Sequence, residues 1–311
     1  MTVREPVVVR APAKINVHLG VGPLRGDGFH ALHTVYLAVS LYDTVTVRPG
    51  EGLSLTVSGE GAGATTGPGQ VPAGPTNLAW RAAELLADHA GVRPDAAMDV
   101  AKRIPVAAGL AGGSADAAAT LVALDALWGT RAARADLLGL AAQLGSDVPF
   151  ALTGGAALGT GRGEQVSPVL AGGRSHWVLG IAGEGLSTPA VYAELDRLRA
   201  TGRVPDVTEP TPAEPVLAAL RGGAAGELAR SLINDLQPAA LSLRPDLRRA
   251  LRAAGDAGAA AAVVSGSGPT VAALASDEQA AVRLAAELAG VGVFRAVRAV
   301  TGPVPGARVV C

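Results

Sequence analysis

Ile104-Pro105-Val106-Ala107-Ala108-Gly109-Leu110-Ala111-Gly112-Gly113-Ser114-Ala115-Asp116-Ala117-Ala118-Ala119 carries a glycine-rich loop directly into an alanine-rich stretch that reads as a helix. Glycines 109, 112 and 113 let the backbone turn sharply and approach a ligand with no Cβ in the way. The helix behind them presents unpaired N–H groups and the positive end of its dipole, the arrangement with which proteins hold phosphate. The Gly-Lys-Ser/Thr ending of a Walker loop is missing. So is the Gly-x-Gly-x-x-Gly spacing of a dinucleotide fingerprint, and the region about 20 residues downstream reads as loop and helix, not as a strand ending in an acid. A tight strand-to-helix connection would also use glycines for packing, so the loop alone leaves a phosphate cradle and a packed turn both open.

Working outward, Met98 to Ile104 is the predicted strand that feeds the loop. Ser114 is the predicted N-cap of a helix with Leu121, Leu124, Leu127 and Trp128 as its buried stripe and Gly129 as its stop. Another helix is expected over Arg134 to Leu144, and an apolar strand after Ser146-Asp147. Upstream, Val7-Val8-Val9 and Ile15 to Val21 read as separate strands, followed by Val35 to Val39 and Asp43 to Val47 around a short loop at Leu41-Tyr42. Leu53 to Val57 alternates as a strand, residues 59–75 form a loop, and Asn77 to Ala90 is helical with Gly91 as its stop. Past Gly161 the expectation is a strand at His176 to Ala182, a helix at Pro189 to Arg199 and a proline-rich connection over 202–213. Further helices are expected near 214–220, 225–233, 245–254 and 277–288, with strands around Ser265-Gly266-Ser267-Gly268 and at 293–300. Strands first and helices later argue for an α+β protein of two domains, here bounded at 1–160 and 161–311.

Composition narrows the class. The 311 residues carry 26 Lys and Arg against 27 Asp and Glu, a formal charge of -1 that removes the electrostatic case for nucleic acid as a partner. Hydrophobic residues make up 49% but aromatic ones only 3%, so the core is built from Ala, Val and Leu. The lone cysteine, Cys311, allows no intramolecular disulfide, which suits a reducing cytoplasm. Glycines and charges interrupt every apolar run, so neither a signal h-region nor a membrane span is expected.

Four more segments carry chemistry-bearing residues. Lys14, in Ala11-Pro12-Ala13-Lys14-Ile15-Asn16, sits in an otherwise apolar strand, from which it either snorkels to solvent or points at a phosphate or carboxylate. Asp147, in Gly145-Ser146-Asp147-Val148-Pro149-Phe150, is a turn device or a working carboxylate. Ser265-Gly266-Ser267-Gly268 is a second glycine loop. Arg25-Gly26-Asp27-Gly28-Phe29-His30 is a capped hairpin turn, or an aromatic beside a hydrogen-bonding ring as a nucleobase pocket uses. His30 has no His/Cys/Asp cluster at ligand spacing around it, so no protein-held metal is expected.

Together and in this order, the segments resemble the GHMP kinase superfamily. Pro12 to Asn16 matches its first motif, Pro105 to Ala118 its phosphate loop, and Ser265 to Pro269 its third. The Asp-Gly-Phe-His segment, the Gly-Leu-Ala-Gly-Gly-Ser form of the loop, Gly145 to Phe150 and Asn234-Asp235-Leu236-Gln237-Pro238 place the likeness nearest to members whose substrate carries a cytidine diphosphate moiety. Phe29 stands where those members usually have Tyr, and Ala115 where a second Ser is common, leaving Ser114 as the loop's only hydroxyl.

The resemblance implies an N-terminal ribosomal-protein-S5-domain-2-like α/β domain and a C-terminal ferredoxin-like α/β sandwich. It implies an ATP-dependent small-molecule kinase with Mg²⁺, phosphate held by residues 105–114 (Pro105, Val106, Ala107, Ala108, Gly109, Leu110, Ala111, Gly112, Gly113 and Ser114), and Asn77 and Lys102 on the adenine side. The latter two also have plain structural readings, as a helix start and a solvated strand end. It further implies Asp147 as base assisted by Lys14, Phe29 and His30 as cytosine readers, and Asn16 and Thr188 on the substrate side. The third loop is Ser265, Gly266, Ser267 and Gly268. A cytoplasmic monomer or weak homodimer is expected, with no nucleic-acid or membrane partner. The alternatives are a homoserine, mevalonate or galactose type of kinase, or a nucleotide-binding regulator without catalysis.

Overall fold

The structure, a computed structural model, describes residues 5–62, 71–183 and 185–310. The middle of the expected 59–75 loop, and Cys311, lie outside the described residues. In chain order the elements are β1 (Val7–Leu24), β2 (His30–Arg48), β3 (Leu53–Gly59), α1 (Leu78–Ala90), β4 (Ala96–Lys102), α2 (Gly112–Trp128), α3 (Arg134–Leu144), α4 (Val148–Thr153), β5 (Ala156–Thr160) and β6 (Gln165–Val169). The later half adds β7 (Ser175–Ile181), α5 (Thr188–Ala200), α6 (Glu214–Gly222), α7 (Ala225–Ser231), β8 (Ile233–Asn234), α8 (Gln237–Leu243) and α9 (Leu247–Asp256). It closes with β9 (Ala261–Val264), β10 (Thr270–Ala275), α10 (Glu278–Gly290), β11 (Ala296–Gly302) and β12 (Arg308–Val309).

Strand β1 organises the first sheet, in the order β12-β1-β2-β4-β3, with β5 beside β2, β6 beside β5 and β8 beside β1. The period of two puts Val9, Ala11, Ala13, Ile15 and Val17 on one face, where each is fully buried in the main core. Lys14, Asn16 and His18 alternate with them and are buried as well, so the opposite face of this strand is polar yet shielded. Helix α2 packs against β1, β2 and α1. It is apolar nearly all round, as a central helix must be, and its alanines let it lie close to its neighbours. Truncating a fully buried residue such as Leu121 to Ala would cost about 2–5 kcal/mol. The second sheet, β11-β7-β10-β9, is antiparallel and has its own core, to which α5, α8, α9 and α10 contribute.

Several expectations need correction. The two strands foreseen before Val21 are one, and the loop foreseen at Leu41-Tyr42 lies inside continuous β2. Pairing shifts register between Pro12 and Ala13, opposite Tyr42 and Val39, so a bulge absorbs the irregularity without ending the strand. Val148 to Phe150 starts a helix where a strand was expected, because Pro149 fits the first helical turn. Ser114 is not the cap of α2: Ala111 takes that position with φ 58°, and Ser114 is the third helical residue. Strands β5, β6, β8 and β12 and helix α8 carry too little periodicity over their few residues to be read from sequence.

Candidate active site

Three segments distant in sequence meet under one cleft of about 900 Å³. The phosphate loop leaves β4, turns through Ala107, Gly109 and Ala111, all with positive φ, and enters α2. Two alanines held in the left-handed region cost about 1–3 kcal/mol each, strain that surrounding contacts must hold in place. Those contacts are close. A Cβ on Gly109 would collide with the Ser265 carbonyl, and one on Gly185 would lie 2.6 Å from the Ala107 Cβ. Ser265 donates its hydroxyl to the Gly109 carbonyl at 3.3 Å, and the Leu110 carbonyl accepts from the Lys14 amide at 3.2 Å. Gly266 lies so near β1 that a Cβ there would be 3.2 Å from Asn16 Oδ1 and 3.4 Å from Lys14 Nζ.

The third loop is secured from behind. Asn234 donates from Nδ2 to the carbonyls of Val264 (2.7 Å) and Gly266 (2.8 Å), and Gln237 Oε1 accepts from the Val264 amide. Thr188, at the start of α5, shares a 2.9 Å hydrogen bond with Ser267. Of the residues expected at the site, Leu110, Ser265 and Gly268 stay off the cleft wall and act as packing, while the others line it.

Lys14 and Asp147 face each other with Nζ and Oδ2 3.6 Å apart. Lys14 donates to Asn16 Oδ1 at 2.8 Å, Asn16 donates to Thr34 at 2.7 Å, and Thr34 donates to the His18 carbonyl at 2.9 Å. This chain fixes the Asn16 amide with its oxygen toward the ammonium. The ammonium also sits 5.7 Å from the centre of the Tyr36 ring. Burial, reinforced by the Asp147 charge, pushes the Tyr36 hydroxyl well above its usual pKa, so it remains protonated beside the carboxylate.

The far end of the cleft is built from side chains. Phe29 is 47% exposed at the mouth, with the Arg162 guanidinium 5.0 Å from its ring centre. His30 is buried, stacked on Tyr192 at 5.0 Å, and its Nε2 lies 2.9 Å from Asp196 Oδ1. Arg162, Tyr192 and Asp196 escaped the sequence reading. The one available signal was the scarcity of aromatic residues, since the chain has only three tyrosines and two of them line this cleft.

Asn77 and Lys102, expected on the adenine side, line the cleft but are also engaged elsewhere. Asn77 caps α1, accepting from the Ala79 amide at 2.8 Å and donating to the Pro72 carbonyl at 2.6 Å. The Lys102 ammonium is held beneath the phosphate loop between Asp43 and Asp116, 2.5 Å from the latter. Asp43 also accepts from the amides of Arg103 (2.6 Å) and Ile104 (2.8 Å). The triad thus ties β2, the end of β4 and the first turns of α2 together. Burial pushes the Asp116 carboxyl up to about 8 despite the ammonium, and its Oδ1 has no partner among the described residues. Among the described residues no three His, Cys, Asp or Glu side chains gather to hold a metal, and no helix is long and apolar enough to cross a membrane.

Comparison with known proteins agrees with this architecture. The family model described as GHMP kinases N terminal domain matches residues 77–155, and that described as GHMP kinases C terminal matches 215–293. The chain is 58% identical to the 4-diphosphocytidyl-2-C-methyl-D-erythritol kinase of Rhodococcus jostii (strain RHA1), over 99% of this chain and 96% of the relative. It is 56% identical to the protein of that name from Mycobacterium tuberculosis (strain ATCC 25618 / H37Rv), over 98% and 93%. A crystal structure of 4-(cytidine 5'-diphospho)-2C-methyl-D-erythritol kinase superposes with a TM-score of 0.76 at 34% identity, covering 96% of this chain and all of the other. The L. major mevalonate kinase, at 16% identity and a TM-score of 0.70, shares the fold.

Proposed function

Since the chain belongs to the GHMP kinases, and within them to the 4-diphosphocytidyl-2-C-methyl-D-erythritol kinases, we propose that it transfers the γ-phosphoryl group of ATP to the 2-hydroxyl of that cytidylated methylerythritol. The product would be the 2-phosphate, an intermediate of the non-mevalonate route to isopentenyl diphosphate. The observation that carries the residue assignment is the Lys14–Asp147 pair, 3.6 Å apart between the phosphate loop and the aromatic end of the cleft.

Phosphoryl transfer asks for positioning and charge neutralisation more than for covalent chemistry. The loop amides and the start of α2 bind and orient the β- and γ-phosphates, with Asn77 toward the nucleotide. Asp147 accepts the proton of the substrate hydroxyl, whose oxygen attacks the γ-phosphorus as the bond to the β,γ-bridging oxygen breaks and ADP departs. Lys14, steered by Asn16, balances the charge that develops on the entering oxygen. Phe29, His30 and Tyr192 hold the base, and Thr188 orients the substrate side together with the third loop. The donor set suits a Mg²⁺ that arrives with the nucleotide, which needs only one or two protein oxygens; Ser114, which lines the cleft at the head of α2, would supply one. When bound, Mg²⁺ neutralises phosphate charge.

We also read residues 1–160 as the ATP-binding part and 161–311 as the C-terminal part, a division supported by the two family matches falling on either side of it. The lone cysteine supports a cytoplasmic setting. A coupled ADP-release assay tests the function. Turnover is expected with the cytidylated methylerythritol and none with mevalonate or homoserine, and turnover of either of the latter alone would replace this reading with another kinase of the superfamily.

A further inference from the structure

We propose that Asp196 determines which pyrimidine the cleft accepts: it fixes His30 in the Nε2–H form and thereby leaves Nδ1 as a hydrogen-bond acceptor facing the cleft. An exocyclic amino group satisfies that acceptor and a keto oxygen does not. The inference rests on the cytidine reading above and adds to it the group that sets the selectivity.

Three observations carry it. His30 Nε2 lies 2.9 Å from Asp196 Oδ1, and a carboxylate can only accept, so Nε2 carries the hydrogen. In a neutral imidazole the second nitrogen is then bare. That nitrogen has no partner among the described residues, it is not sealed from solvent, and the ring it belongs to lines the cleft. With 95% of the side chain covered, the opening left to Nδ1 is the cleft.

The ring is also held in place. Tyr192 stacks on its face at 5.0 Å with the planes 27° apart, while Asp196 grips its edge. Tyr192 and Asp196 are four residues apart on α5 and so share one face of that helix. A single helical turn from the later half of the chain therefore sets both the plane and the tautomer of the histidine that opens β2. An amino-pyrimidine presents an N–H to Nδ1. A keto-pyrimidine presents a lone pair, and acceptor facing acceptor leaves both unsatisfied in a buried place, worth roughly 10- to 100-fold in discrimination.

The test has a spectroscopic and a kinetic arm. Nitrogen-15 NMR of the full chain at pH 8, with the His30 signals assigned by their loss in His30→Gln, is expected to show Nε2 protonated and Nδ1 bare, and to show mixed tautomers in Asp196→Ala. The ratio of kcat/KM for the cytidine diphosphate substrate to that for the same compound with uracil is expected to fall about 10-fold in Asp196→Ala, mainly through KM. Asp196→Asn, whose amide oxygen still accepts from Nε2–H, should retain more of the ratio. A protonated Nδ1 in the wild-type protein, or an unchanged ratio in Asp196→Ala while the wild type turns over the cytidine compound, overturns the assignment of Asp196 alone. A wild type that turns over neither compound overturns the cytidine reading and the selectivity built on it.

Discussion

The two ends of the cleft are made of different material. At the phosphate end, residues 105–114 offer backbone: glycines, alanines and amide groups, shaped by positive-φ positions and by packing on Ser265 and Gly185. At the base end the cleft is lined by five side chains, Phe29, His30, Arg162, Tyr192 and Asp196, drawn from three separated segments. Backbone recognition suits a ligand common to many enzymes, because amides and a helix terminus read charge and shape without regard to the rest of the molecule. Side-chain recognition suits the partner that distinguishes one enzyme from another. Lys14 and Asp147 stand where the two meet and belong to neither.

That division orders the expected effects of substitution. Asp147→Asn removes the proposed base and is expected to lower kcat by about 10²- to 10⁴-fold with an unchanged melting temperature; near-normal kcat in steady-state assays would take the proton-accepting role away from this residue. Gly109→Ala puts a methyl group into the Ser265 carbonyl at a φ of 75°. Its expected signature is a loss of about 1–3 kcal/mol in thermal or urea unfolding together with an ATP KM raised at least ~10-fold. If ATP titration shows no change, the packing of the two glycine loops does not shape the nucleotide site. Tyr192→Ala should raise KM for the cytidine compound about 10-fold and leave KM for ATP alone; equal effects on both substrates would erase the distinction between the ends.

A last expected effect touches stability alone, at Asp116. An unfolded chain titrates this carboxyl near 4, whereas burial carries it to about 8 in the folded protein. Between those values the native state holds the extra proton, so its contribution to stability is full below about pH 4 and is lost as pH rises toward about 8. The decline is at most about 1.4 kcal/mol per pH unit. Asp116→Asn should flatten it, and urea unfolding at pH 6, 7 and 8 reads the slope directly.

The same contrast explains what could be read in the sequence. The phosphate loop is contiguous, so its glycines, its missing Walker lysine and its helix all stand in one line of text. Lys14 stood out because a lysine in an apolar strand needs a reason. Tyr192 and Asp196 look like ordinary residues of an amphipathic helix, and only folding brings them to His30. Lys102 was legible as a charged residue near the loop but not as the centre of a buried triad, because its partners lie 59 positions before it and 14 after it. Ser114 misled because hydroxyl residues usually cap helices, while here a strained alanine takes that place.

Strand β1 has a consequence for how the protein is made. Its outer edge is filled at one end by β8, through His18 and Ile233, and at the other by β12, through Val9 and Val309. Ribosomes add about 5–20 residues per second, so the strand bearing Lys14 leaves the ribosome roughly 15–60 s before its last neighbour is synthesised. During that interval an apolar strand with an open edge is exposed to other nascent chains. Completion of the sheet that carries Lys14 therefore waits for the synthesis of β12, and ribosome-bound chains stalled before β12 should bind chaperones that chains containing β12 do not.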